Sequence, residues 1–363
     1  MKNLLPLIIT FLLLAFASFP AQAGFSTLYA FGDGVCTTTG NSFTGPLYYG
    51  HRYSNGRIWI EVLAQRQGLA YEVTNNNSYY DDFSAVALVN VNSFVAPADA
   101  TNDLFIVWVC DADFVGDLGQ FDPPYTAANI PAWSNNISQS LNNHFTIITN
   151  LYAKGVRYLV MPNAVDLGKI PEYAGLDSNS KSFVRDRIIY FNTNFTASLN
   201  QAKALCPGLQ IYVPDFFSVF DNVITNAALY ELTNALDFNG QSIDAIDALP
   251  NAATNGPGTN YIFWDPVDPT ARLHAVMADI VQQIISPVQV GKVTSFVGSN
   301  RLDIINYPAG LKGFVEGLTN LTLTNWSAMA SISSTNTTQS AFVPTSGPQQ
   351  LYRLHFPYSW SWP

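Results

Sequence analysis

The sequence predicts an α/β chain: a three-layer sandwich around a parallel sheet, followed by a small all-β unit. Three observations predict it. From about residue 26 to 285, short apolar runs alternate with longer stretches of helical periodicity, the pattern of parallel strands joined by crossover helices. From 287 to 363 no helical periodicity remains, and short β-rich runs are broken by turn residues. The composition, 48% hydrophobic and 12% charged over 363 residues, can bury a core large enough for one large domain or a large and a small one.

The elements follow in order. Met1-Lys2-Asn3, an apolar run from Leu4 to Phe19 and Ala21-Gln22-Ala23 have the basic start, hydrophobic centre and small-residue ending of a signal peptide over 1–23. An exported protein is expected, secreted or periplasmic. The apolar run is short for a bilayer span of ~20 residues, so no stable membrane span is expected. Strands are predicted at Thr27 to Phe31, Leu104 to Val109, Tyr158 to Met161 and Gln210 to Val213, with helices over Gly56 to Gln67, Asn136 to Lys154 and Ser182 to Leu205. These make an α/β domain of 24–285, whose working residues belong at the carboxyl ends of the strands. After Ile285-Ser286-Pro287, six runs predict a β-sandwich-like domain of 287–363: Lys292 to Val297, Leu302 to Tyr307, Leu311 to Gly317, Ser327 to Ile332, Gln339 to Val343 and Gln350 to Phe356. The terminal Tyr358-Ser359-Trp360-Ser361-Trp362-Pro363 reads as a closing strand in preference to a carbohydrate platform.

Charge and cysteine content narrow the function. A net charge of -10 argues against nucleic-acid partners, which need a basic surface. Three cysteines, Cys36, Cys110 and Cys206, allow at most one bridge and one free thiol.

The chemistry-bearing signal is a set of ordered blocks. An apolar run ends in Phe31-Gly32-Asp33-Gly34, a small-residue turn. Then come Tyr48-Tyr49-Gly50-His51-Arg52-Tyr53-Ser54-Asn55-Gly56-Arg57-Ile58-Trp59, Phe105-Ile106-Val107-Trp108-Val109-Cys110-Asp111-Ala112-Asp113-Phe114, Pro162-Asn163-Ala164-Val165-Asp166-Leu167-Gly168 and Phe263-Trp264-Asp265-Pro266-Val267-Asp268-Pro269-Thr270. From Phe31 to about Asp279 the chain resembles the SGNH/GDSL hydrolases, esterases and lipases of a flavodoxin-like three-layer fold; 287–363 is not covered by the resemblance. The family pattern implies a serine nucleophile at 34, oxyanion glycines at 56 and 110, an oxyanion asparagine at 112, and an aspartate and a histidine at 265 and 268. This chain carries Gly34, Gly56, Cys110, Ala112, Asp265 and Asp268. Only Gly56 and Asp265 match.

Nucleophile, base and donor are therefore replaced together, and an unperturbed aspartate with a pKa of ~3.9 is a poor base at neutral pH. The expectation is a catalytically inactive esterase/lipase relative, a pseudoenzyme, whose cleft binds a small-molecule ester, lipid or glycan. No cofactor is implied. The alternative is an active ester hydrolase with rearranged residues. Cys36 would then be the nucleophile, or Asp33, Asp111, Asp113, Asp265 and Asp268 would hold a hard cation that activates water. Cys36 and Cys110, both expected on loops beside the vacated position, leave a third arrangement open, a disulfide across it.

Overall fold

The computed structural model describes residues 24–42, 45–232, 236–237, 239–320, 325–345, 350–356 and 360–362. The segment read as a signal peptide lies outside them.

Four parallel strands, β1 (Leu28–Gly32), β2 (Leu104–Trp108), β3 (Tyr158–Val160) and β4 (Gln210–Tyr212), lie in the order β1-β2-β3-β4, with Leu28 opposite Leu104 and Tyr158 opposite Gln210. The helices are α1 (Trp59–Arg66), α2 (Ser84–Ser93), α3 (Cys110–Gln120), α4 (Ile130–Ala153), α5 (Ser178–Leu205), α6 (Phe216–Thr225), α7 (Ala245–Ala248) and α8 (Ala271–Ile285). They cover both faces, because successive strand side chains point to opposite sides. Tyr29, Phe31 and Phe105 meet Phe94, just after α2, on one face. Trp108, three residues beyond Phe105, meets Trp59 of α1 and Phe216 of α6 on the other. The strands of such a doubly covered sheet read as unbroken apolar runs, and β2 is buried at every residue.

The helix starts have local causes. Asp177 accepts hydrogen bonds from the Asn179 and Ser180 amides at the head of α5, and Thr270 accepts from Leu273 at the head of α8, as N-caps do. Helix α4 begins at Ile130, six residues before the sequence pattern places it, because Pro131 sits in its first turn, where a missing amide proton costs nothing. Cys110, expected on a loop, is instead the first residue of α3.

Beyond α8 the chain forms two antiparallel sheets. One holds β5 (Gln289–Phe296), β6 (Ser299–Ile305) and β9 (Thr338–Pro344); the other holds β7 (Lys312–Leu318), β8 (Ser327–Ser333), β10 (Leu351–Phe356) and β11 (Trp360–Trp362). Of the terminal segment, Trp360–Trp362 forms a closing strand, pairing Trp362 with Leu354, and its other residues lie outside the described ones. Their buried residues, among them Leu302, Val315, Val343 and Leu354, form a cluster separate from the main core. Buried polar contacts tie the two regions. Arg66 pairs with Asp279 at 2.6 Å and donates to the Ala309 carbonyl, while the Ala309 amide donates back to the Arg66 carbonyl. No helix among the described residues is long and apolar enough to cross a membrane.

Candidate active site

Strand β1 delivers the chain into a tight turn at the carboxyl edge of the sheet. Asp33 accepts from the Val35 amide at 3.1 Å and so caps the single helical turn Gly34–Cys36. Gly32 has to be glycine, since a Cβ there would lie 2.5 Å from the Cβ of Cys36. Gly34 does not. A Cβ at 34 would meet Tyr80 at 3.5 Å, Tyr53 at 3.7 Å and the Asp268 Oδ1 at 3.8 Å, all ordinary contact distances. The space for a serine is present, and it faces residue 268.

The loop before α8 is wired through its own backbone. Asp265 Oδ1 accepts from the amides of Val267 and Asp268 at 3.0 and 2.7 Å, and its Oδ2 accepts from the Tyr48 hydroxyl at 3.1 Å. The second block holds this loop in place. Ser54 donates to the Pro269 carbonyl, the Ala271 amide donates to Asn55, and a Cβ on Gly56 would lie 2.7 Å from that of Ala271. Gly56 thus has a packing reason for being glycine.

These segments enclose a cleft of about 430 Å³. Gly34, Ala112, Asp265 and Asp268 all line it, as do Asp33 and Asp111. Gly56, Cys110 and Asp113 do not. Cys110 is buried with its thiol 3.9 Å from the Pro162 carbonyl. Asp113 accepts from the Ser84 amide and from the Ser140 hydroxyl on the far side of α3. The reason is helical geometry: residues two apart sit ~200° apart around the axis. Asp111, Ala112 and Val115 therefore face the cleft, while Asp113, Gly116 and Asp117 line a second hollow of about 320 Å³. That split takes Asp113 out of the set proposed for a cation, leaving Asp33, Asp111, Asp265 and Asp268 on the cleft; among the described residues no three acidic, histidine or cysteine side chains form a group able to hold a metal.

The thiol alternatives also fail. All three cysteines are free and buried, so no bridge joins Cys36 to Cys110. Burial, with Asp33 close by, raises the Cys36 thiol well above its ordinary pKa, the opposite of what a nucleophilic thiolate needs.

No histidine reaches the cleft. His51 Nδ1 donates to the Asn41 carbonyl, His274 is buried in α8 with its pKa lowered to about 3 by desolvation, and His355 pairs with Glu316. One Ser-His-Asp trio does exist, but it is wired in the wrong order. Ser140 donates to Asp113, and His144 Nδ1 is engaged by the Ser140 carbonyl at 2.8 Å. In a working triad the imidazole stands between hydroxyl and carboxylate.

What remains in the cleft is acidic. Burial raises Asp33 to about 7 and Asp265 to about 6. Asp268 lies well above the carboxylate range through burial and the neighbouring Asp265, and Asp111 does so through burial and Asp33. Burial beside Asp265 favours the protonated form of Asp268 and so works against its taking a proton from a hydroxyl at 34. Reading the blocks gave no role to the tyrosine walls: Tyr48 and Tyr53 belong to the second block, and Tyr80 joins them from a separate segment.

A family model for GDSL-like lipase/acylhydrolase matches residues 28–281. The chain belongs to that family. A GDSL esterase/lipase of Arabidopsis thaliana is 23% identical over 256 residues, covering 68% of this chain and 59% of that protein; the match thus spans less than two thirds of that relative. A second from the same plant is 22% identical over 326 residues, covering 70% of this chain and 85% of the relative. Among solved structures, an acetylxylan esterase from Geobacillus stearothermophilus covers 72% of this chain and 96% of its own, at 10% identity and a TM-score of 0.40.

Proposed function

We propose that this protein is an exported, non-hydrolysing member of the GDSL family that uses the inherited cleft to bind a small ester, lipid or glycan. One observation carries the reading: the cleft keeps room for a nucleophile at Gly34, but position 34 carries no hydroxyl and no imidazole lines the cleft. The group that faces that room is the carboxyl of Asp268, whose burial beside Asp265 favours its protonated form. The oxyanion position is the methyl of Ala112, which donates nothing to a developing charge. The N-terminal sequence supports export. None of the described strands after α8 lines the cleft, so recognition is assigned to the α/β region alone.

The test is turnover of short-chain nitrophenyl esters by the purified mature protein, with and without EDTA. The expected outcome is hydrolysis at the rate of buffer in both arms. Turnover at ~10³-fold or more above buffer, whether or not EDTA abolishes it, would overturn the non-hydrolysing reading.

A further inference from the structure

The outer face of the β5-β6-β9 sheet changes character along its length. Toward α8 it is polar, with Lys292 opposite Asp303 and Asp303 opposite Ser340. At the far end it is apolar. Phe296 is 50% exposed and Phe342 61%. Their rings meet at 6.3 Å between centroids across β6, whose Ser299 and Arg301 are their register partners. Between β5 and β6 the chain turns through Val297 and Gly298. Gly298, with φ +77°, supplies the left-handed residue at the second corner of the turn. Val297 at the first corner is fully exposed, at 105%, in a place where polar turn formers normally stand. The Thr345 amide donates to the Gly298 carbonyl at 3.1 Å, so the tip is tied to the end of β9.

Size, charge and position bear on what covers this tip. Two half-exposed phenylalanines and a valine present about 300 Å² of apolar surface, well short of the ~800 Å² per partner in a standard protein interface. Apolar side chains in such a small protruding group suit the boundary between headgroups and acyl chains, ~5–10 Å into a bilayer. The chain carries -10 overall, yet residues 287–363 hold four basic side chains, Lys292, Arg301, Lys312 and Arg353, against two acids, Asp303 and Glu316. Arg301 pairs with Asp303 at 2.9 Å and Lys292 stands opposite the same residue, which leaves this sheet one positive charge in excess. Strand β5 begins four residues after α8 ends and runs for eight, so at ~3.3 Å per residue the tip stands roughly 25 Å beyond its start. The opposite end of the sheet meets the α/β region, where Thr337 lies against Gly68. The acidic α/β region is thereby held away from anything the tip touches.

We propose that the β5–β6 tip seats the protein on an anionic lipid surface, with Phe296, Val297 and Phe342 inserted among the headgroups and Arg301 and Lys292 behind them at the level of the phosphates. This contact is independent of the cleft, none of whose lining residues lies on these strands.

Co-sedimentation of the mature protein with vesicles tests this, using phosphatidylcholine alone and equal parts phosphatidylcholine and phosphatidylglycerol. Binding to the mixed vesicles is expected to be about fivefold tighter or more, and to weaken with added salt. Phe296→Ser and Phe342→Ser should each weaken it about tenfold, and Lys292→Glu should remove the preference for phosphatidylglycerol. All three side chains are exposed, so an unchanged urea midpoint shows the fold intact in each variant. No sedimentation with the mixed vesicles, or binding that Phe296→Ser and Phe342→Ser leave unchanged, overturns the membrane contact. Equal binding to both kinds of vesicle overturns the anionic surface. A dimer in analytical ultracentrifugation that the two serine variants abolish, without vesicle binding, assigns the tip to a second copy and overturns the lipid contact as well.

Discussion

Restoring the three missing groups together, as Gly34→Ser, Ala112→Asn and Asp268→His, should convert the cleft into a measurable esterase. An enzyme without a working triad keeps ~10³–10⁴-fold catalysis over water from its oxyanion hole and binding. Losing a side-chain oxyanion donor removes ~10²–10³ of that, so the native chain is left with about 1- to 10²-fold, at or near background. The serine at 34 enters without strain, its nearest neighbours at 3.5, 3.7 and 3.8 Å. A histidine at 268 would begin beside the Asp265 carboxylate, already fixed by the amides of 267 and 268. Gly34→Ser alone is expected to gain less than about tenfold in kcat/KM, because no imidazole stands at 268 to act as base and residue 112 has no donor. The triple variant is expected to gain at least about 10³-fold over the native chain on nitrophenyl butyrate. The assay is kcat/KM for each variant, with circular dichroism and thermal melting to show the fold intact. A folded triple variant that binds the ester yet gains nothing would refute the placement of these positions around one reacting centre. So would a Gly34→Ser single variant as active as the triple.

Three further outcomes are expected. Asp279→Ala strands the buried Arg66 guanidinium, whose pair is 9% and 3% exposed, and should cost about 3–5 kcal/mol in urea unfolding; a loss under about 1 kcal/mol would contradict the role given to this contact. Gly56→Ala should cost about 1–3 kcal/mol by overpacking against Ala271, with Ala271→Gly recovering most of it, and no recovery would mean that Gly56 serves another purpose. For pH, Asp33 has a folded pKa raised from 3.8 to about 7, so the folded state holds its proton more tightly than the unfolded chain. Its stabilising contribution is complete below about pH 4 and is lost as pH rises toward 7. Asp33→Asn should flatten the fall in urea midpoint between pH 4.5 and 7.5, and an unchanged slope would assign the fall to other groups.

Much of the cleft was legible because four ordered blocks fix which segments converge. They correctly bring Gly34, Ala112, Asp265 and Asp268 together. What they could not show was which way side chains turn within a block. Asp111 and Asp113 look equivalent in sequence, yet α3 begins at Cys110 and sends them to opposite sides. Cys36 and Cys110 looked like partners across a loop, but both are packed into the core. Gly56 matched the family pattern, while its neighbour Ala271 supplies a steric reason for glycine that sequence spacing does not reveal. The tyrosine walls were only half legible, because Tyr48 and Tyr53 stand in the second block while Tyr80 joins them only through the tertiary packing around the β1 turn. Similarly, apolar periodicity found the antiparallel runs but gave no hint of the Arg66 contact that fastens them to α1 and α8.

The central claim is a cleft that keeps its shape and lacks its chemistry, and binding and turnover measured on one sample test it most directly. Saturation-transfer NMR of a short-chain ester with the mature native protein reads both at once. The account predicts that the ester receives saturation from the protein, loses that signal in Gly34→Leu, and remains intact at the rate seen in buffer alone. Accumulation of free acid and alcohol at ~10³-fold or more above buffer would contradict it.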